Sequence, residues 1–352
     1  MALNKSKKTL LALVQAGLWE KDVRLSSYPK VDFPLVYQWA EEQSVVGLVT
    51  AGLEHVQDVQ IPKDIVLTFV GNALQLEQRN SAINTYIEKI IPLLQKNDID
   101  TKLVKGQGLA QCYERPLWRY SSDIDFLLDE HNYWKARSFF KDLPLIIRTE
   151  GRYSKEVVFE YRPWLIELHG TLRCGLASCV DSMIDEVMQD MFDNNHVRVW
   201  HNGKVDVMLP QADNDIIFVF THFIKHFYKE RMTLKQICDW CRLLWTYRES
   251  LNYGLLESRI HKAGLLAEWK VFAALAVEYL GMPVEAMPMY DSRFREKGTK
   301  VLEFILKGES YNLVRDTWAI AKIFPMNTMK FLPGIFFNVC GLKIKERISR
   351  NH

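Results

Sequence analysis

The feature that most limits how this chain can fold is the run Asp123-Ile124-Asp125-Phe126-Leu127-Leu128. Side chains alternate along a strand, so a strand here turns Ile124 and Phe126 to one face and both aspartates to the other. Two carboxylates held that close repel each other unless a cation sits between them. The strand then needs an apolar core on one side and a charged, liganded site on the other. A hard divalent cation, Mg²⁺ or Mn²⁺, suits such oxygen ligands and accepts substrate phosphates as its remaining partners. A third acid from a neighbouring strand would complete the set. Glu167 is the best candidate, because it lies in the apolar run Trp164-Leu165-Ile166-Glu167-Leu168-His169, where an unpaired acid is costly to bury. Taken alone, Asp-x-Asp also fits an exposed strand edge or a turn.

The surroundings of the motif favour the site. Thr101 to Val104 reads as a short strand and Lys105-Gly106-Gln107-Gly108 turns out of it. Small residues in such a turn let backbone N–H groups approach phosphate oxygens, and a following helix presents its N-terminus to them. An ordinary strand-to-helix turn is the plainer reading of the same glycines. Val157–Tyr161 and Trp164–His169 read as two antiparallel strands about an Arg162-Pro163 turn, and residues 197–208 as a hairpin at Asn202-Gly203. Before this mixed core the periodicity is helical, with its longest run from Ile65 to Gln95 and Pro92 near its end. After it, from Asp213 on, the periodicity is helical again. The expected division is an N-terminal helical region (1–96), a small mixed α/β core (97–210) and a C-terminal helical domain (211–352), an α+β fold.

Leu103-Val104-Lys105-Gly106, Tyr113, Pro116, Arg119, Asp123-Ile124-Asp125-Phe126-Leu127-Leu128 and Ile166-Glu167-Leu168-His169 together resemble the uncharacterised nucleotidyltransferase family, within the DNA polymerase β-like superfamily. The resemblance spans about residues 65 to 245. It implies a nucleotidyltransferase palm in which Asp123 and Asp125 bind metal, Glu167 completes the triad, and Lys105 and Gly106 hold a nucleoside triphosphate. The broad superfamily often has Gly-Ser where this chain has Gly106-Gln107.

Arg119 is four residues before Asp123, and its guanidinium matches phosphate geometry; a loop arginine is the alternative. His169 shares the face of Glu167 and either orients it, contacts substrate or packs as a core histidine. His222 and His226, four apart, lie on one helical face and, with Lys225, could turn toward the cleft. Lys235 and Asp239, also four apart, suit a pair on the helix surface, although the mostly positive run Lys225, His226, Lys229, Glu230, Arg231 and Lys235 also suits phosphates or an anionic acceptor. A zinc site from His222, His226, Cys238 and Cys241 is disfavoured, because both pairs sit within apolar helical patterns rather than in turns.

The 45 Lys and Arg against 43 Asp and Glu leave a net charge of +2, which speaks against a protein that coats nucleic acid. Lys5, Lys7 and Lys8 interrupt the start before any secretory h-region, so a cytoplasmic location with reduced thiols is expected. Residues 331–350, apolar and then basic, suit either a terminal helix docked on the body or a membrane surface. The expected reaction is transfer of a nucleoside monophosphate from an NTP donor to a hydroxyl or amine of a small molecule, glycan or protein. Two alternatives are an Asp-x-Asp glycosyltransferase using a nucleotide-sugar and an inactive nucleotidyltransferase-like binding protein. The first would need alternating β/α units ahead of the motif; the second sits poorly with three intact acids.

Overall fold

A computed structural model describes residues 5–28, 31–151, 155–307 and 310–335. Four helices come first: α1 (Lys5–Trp19), α2 (Phe33–Glu42), α3 (Val46–Glu54) and the long α4 (Lys63–Lys96), which carries Pro92 inside it. Then follow β1 (Lys102–Val104), α5 (Gly106–Ala110), β2 (Asp123–Leu127), α6 (Glu130–Lys141), β3 (Ile146–Gly151), β4 (Glu156–Tyr161) and β5 (Trp164–His169). Helix α7 (Ser178–Asp193) leads to the hairpin β6 (Val197–Asn202) and β7 (Val205–Pro210). The chain ends in helices α8 (Ala212–Lys229), α9 (Leu234–Tyr247), α10 (Tyr253–Ala263), α11 (Leu266–Leu280), α12 (Arg295–Ile305) and α13 (Leu313–Ala321), with a last helical segment over residues 325–335.

The mixed α+β architecture expected from the sequence is present. A five-stranded sheet has the order β1-β2-β5-β4-β3, with β2 and β5 parallel and every other pair antiparallel. The β4–β5 turn holds a cis Arg162–Pro163 bond. Strand β3 was not foreseen. Most of its residues are exposed, so no buried face writes a period of two into its sequence.

The two faces of the sheet differ as the alternation requires. Ile124, Phe126, Val157, Phe159, Ile166 and Leu168 pack against Ile83, Ile87 and Ile90 of α4 and Tyr133 and Phe140 of α6, forming one core. The opposite face carries the acids and looks toward a second core built from both chain halves. That core joins Leu10, Leu13 and Val14 of α1 to Phe220, Phe223 and Phe227 of α8, Trp240 of α9 and Trp269 and Phe272 of α11. Helix α1 crosses α3 so closely that a Cβ on Gly17 would lie 1.9 Å from the Leu48 carbonyl oxygen. Side chains of α1 also bond distant backbone: Gln15 Nε2 donates to the Tyr279 carbonyl at 2.9 Å and Trp19 Nε1 to that of Leu280 at 2.6 Å.

Among the described residues no helix is long and apolar enough to cross a membrane. Phe331 and Ile335 are buried, and Gly334 lies against the Gly175 backbone, so this part of the apolar tail docks on the body. Residues 336–350 of the apolar-basic tail lie outside the described residues.

Candidate active site

Strand pairing assembles the acids. In the parallel ladder Asp123 is opposite Leu165, Asp125 opposite Glu167 and Leu127 opposite His169, so Asp123, Asp125, Glu167 and His169 share one face. Arg79 of α4 donates to the carbonyls of Ser122 and Pro163, both at 3.3 Å, tying together the chain at the start of both strands. Asp125 is fully buried. Its Oδ1 receives Lys105 Nζ at 2.6 Å and His169 Nε2 at 2.9 Å, while His169 Nε2 is also 3.4 Å from Glu167 Oε2. Burial alone would raise the Asp125 carboxyl, but Lys105 and His169 outweigh it and hold it well below the usual range. Glu167 is pushed up by burial and by the Asp125 charge, against the pull of His169. His169, despite its burial, is raised to about 9 by hydrogen bonds to Asp125 and Glu167.

The site has the chemistry of a cation site. Asp125 Oδ2 is buried and has no hydrogen-bond partner among the described residues, which is costly for a carboxylate oxygen. Ligand atoms of Asp125, Glu167 and His169 lie within 4.8 Å of one another. Asp123 belongs to the same face and lines the adjoining cleft with Asp125. Carboxylate oxygens with one imidazole fit Mg²⁺ or Mn²⁺. The sequence had left His169 to orient Glu167, contact substrate or pack in the core; the geometry sets it against both Asp125 and Glu167, within ligand distance of them.

The turn after β1 is strained where it meets the acids. Lys105 has φ 56° and ψ −141°, a conformation rare for a residue with a side chain, and Gly106 follows at φ 34°. This bend lets Lys105 reach back over the strand to Asp125. Its ammonium, lowered by burial but raised further by Asp125, Glu167 and Asp123, stays charged. Gln107 and Gly108 do not line the cleft. The Gln107 side chain is buried and donates to Asn80 Oδ1 at 2.9 Å, and Asn80 in turn donates to the carbonyls of Leu117 and Arg119 at 2.7 and 2.8 Å. A Cβ on Gly108 would come within 3.0 Å of Leu209, so that glycine serves the packing of β7.

Arg119 does line the cleft, with its guanidinium engaged. Its Nε and Nη2 donate to the two Asp239 oxygens at 2.7 and 2.8 Å, Nη1 donates to Ser121 Oγ, and Tyr113 Oη adds a 2.7 Å bond to Asp239. This corrects the expected Lys235–Asp239 surface pair: Asp239 is buried and faces Arg119 rather than the next turn of its own helix. Lys235 is thereby left in the cleft, its ammonium over the Tyr120 ring at 5.6 Å with no ion pair among the described residues. Burial, and then Arg119, push its pKa down. The sequence left Lys235 either paired on the helix surface or in a positive run able to hold phosphates; the long-range partner of Asp239 decides for the cleft.

The cleft, about 180 Å³, lies between Lys105, Gly106, Asp123 and Asp125 on one wall and Val219, His222, Phe223, His226 and Lys235 on the other. Helix α8 thus brings His222 and His226 to it and α9 brings Lys235, while Lys225 does not line it. A larger cavity of about 420 Å³ lies elsewhere, beside Asp98, Asp100, His131 and Asp206, but two of its acids are already engaged by Lys102 and His201. The cleft with the acids is the better candidate. Among the described residues His222, His226, Cys238 and Cys241 form no ligand cluster. Cys238 and Cys241 are buried, and burial pushes both thiols up, away from the thiolate that zinc needs.

Residues 29–281 match the family described as "Uncharacterised nucleotidyltransferase", and the chain belongs to that family. No curated protein and no solved structure matches the chain.

Proposed function

We propose that the protein is a metal-dependent nucleotidyltransferase that moves a nucleoside monophosphate from an NTP to a hydroxyl or amine, releasing pyrophosphate. The observation that carries this reading is the buried Asp125 carboxylate with one oxygen lacking a partner, beside Glu167 and His169 and open to a cleft through Asp123. Asp123, Asp125 and Glu167 would hold Mg²⁺ or Mn²⁺, with His169 against Asp125 and Glu167. Bound there, such a cation would supply charge neutralisation to the phosphates and polarise the reacting phosphoryl group. Lys105 and Lys235 face each other across the cleft as the two cations that could receive the triphosphate. The Gly106 backbone lets it approach. Arg119 lines the same cleft and is held there by Asp239. Positioning and electrostatics would do most of the catalysis.

The glycosyltransferase alternative needs β/α units before the acid motif. The described residues from 5 to 96 form helices with only an isolated Val23–Val56 bridge, which counts against it. The test is calorimetry with each of the four NTPs and Mg²⁺ or Mn²⁺, in wild type and in the Asp123→Ala/Asp125→Ala double variant. Metal-dependent binding that vanishes in the double variant is expected. Binding that survives it, or no NTP binding by wild type, would overturn the proposal.

A further inference from the structure

Three titratable side chains on the helical wall form a chain that the metal and phosphate contacts leave unused. His222, His226 and Glu230 follow one another at intervals of four residues, so they stack along one face of α8 and its C-terminal cap. His226 Nδ1 is 2.7 Å from Glu230 Oε2, and His226 Nε2 is 3.0 Å from His222 Nε2. Both imidazoles line the cleft that holds Asp123 and Asp125.

We propose that Glu230, His226 and His222 form a proton relay in which His222 takes the proton from the acceptor nucleophile. The inference rests on the nucleotidyl-transfer reading and supplies its missing base. A carboxylate only accepts, so His226 Nδ1–H donates to Glu230. With His226 neutral its Nε2 is a lone pair, and the proton in the contact between the two rings belongs to His222 Nε2. That leaves His222 Nδ1, which has no hydrogen-bond partner among the described residues, as the free base. Burial, followed by the charge of Lys105 across the cleft, holds His222 well below the usual histidine range and keeps it neutral. Glu230 is held down to about 2, chiefly by its hydrogen bond to His226, and stays ionised.

The step balances. The acceptor O–H or N–H gives its proton to His222 Nδ1, and the Nε2 proton of His222 passes to His226 Nε2. The positive charge comes to rest on His226 against Glu230. The freed lone pair of the acceptor forms the new bond to the α-phosphorus. The bond from that phosphorus to the bridging oxygen breaks, and pyrophosphate leaves with the electron pair. Glu230 and His226 are positioning residues; His222 is the catalytic one.

The experiment uses the full chain and an α-labelled NTP with Mg²⁺, water serving as acceptor, so that the product is the nucleoside monophosphate. His222→Gln should lower kcat about 100-fold with KM unchanged. Glu230→Gln should lower it about 10-fold, and the double variant should fall no further than His222→Gln, because the residues act as one unit. Long-range ¹H–¹⁵N imidazole spectra of wild type, which need no variant to fold, should show His226 protonated on Nδ1 and His222 on Nε2. In Glu230→Gln the His226 signals should shift. Turnover by wild type with His222→Gln equal to it would overturn the relay and leave nucleotidyl transfer standing. So would a His222 carrying its proton on Nδ1, or a His222→Gln effect confined to KM. Wild type with no metal-dependent turnover of any NTP would overturn both.

Discussion

The two walls of the cleft are held in different ways. On the sheet wall, Asp123, Asp125, Glu167 and His169 are placed by a backbone ladder whose register leaves them no choice of face. On the helical wall, His222, His226 and Lys235 are placed by how α8 and α9 lie against the rest, and α9 is fastened to the segment before β2 by the buried Arg119–Asp239 pair. A site built on a strand ladder keeps its spacing when a side chain changes. A wall held by side-chain bonds such as Arg119–Asp239, with Arg242 of α9 bonding the Cys112 carbonyl and Glu114, shifts when its central pair is lost. Chemistry should therefore be most sensitive to substitutions on the sheet wall, and cleft geometry to those behind the helical wall.

The comparison can be broken most directly at Asp125. Asp125→Asn should reduce NTP turnover on the order of 1000-fold, since metal stabilisation of phosphoryl charge is worth several kcal/mol; retained turnover would mean that the sheet wall does not hold the catalytic cation. Next comes the tether. Asp239→Ala leaves Arg119 buried without its partner and should destabilise the protein by about 3–5 kcal/mol in urea unfolding. Replacing both residues by apolar ones should recover much of that stability but not NTP affinity, if the pair's role is to place α9. Lys235→Met tests the helical wall without disturbing it. NTP affinity should fall about tenfold, with no loss of thermal stability because the ammonium has no ion pair to break. The smallest effect is expected at the turn. Gln107→Ala removes the donor to Asn80 and should cost about 1–2 kcal/mol of stability, with turnover changed only as far as Lys105 shifts.

What was legible in the sequence follows the same division. The alternation in Asp123–Leu128 and Trp164–His169 declared both the strands and the faces on which their acids lie, because a period of two is written directly into which residues are apolar. The helical patterns of α4, α8 and α9 were readable for a like reason. The partner of Arg119 was not, since Asp239 lies 120 residues along the chain and nothing local marks the two as meeting. The i,i+4 spacing of Lys235 and Asp239 pointed to a pair that tertiary packing overrides. Gln107, expected at a phosphate turn, looks inward to Asn80, 27 residues earlier on α4. The exposed strand β3 left no pattern at all.

The bonds from α1 to the far end of the chain have a consequence for how the protein is made. Gln15 and Trp19 reach carbonyls 264 and 261 residues later, and their helix shares a core with α8, α9 and α11. At about 5–20 residues per second of synthesis, the apolar face of α1 waits on the order of tens of seconds before those partners leave the ribosome. Helix α1 can pack on α3 early, but its contacts with the core of α8, α9 and α11 and its bonds to Tyr279 and Leu280 form only after those helices have been made.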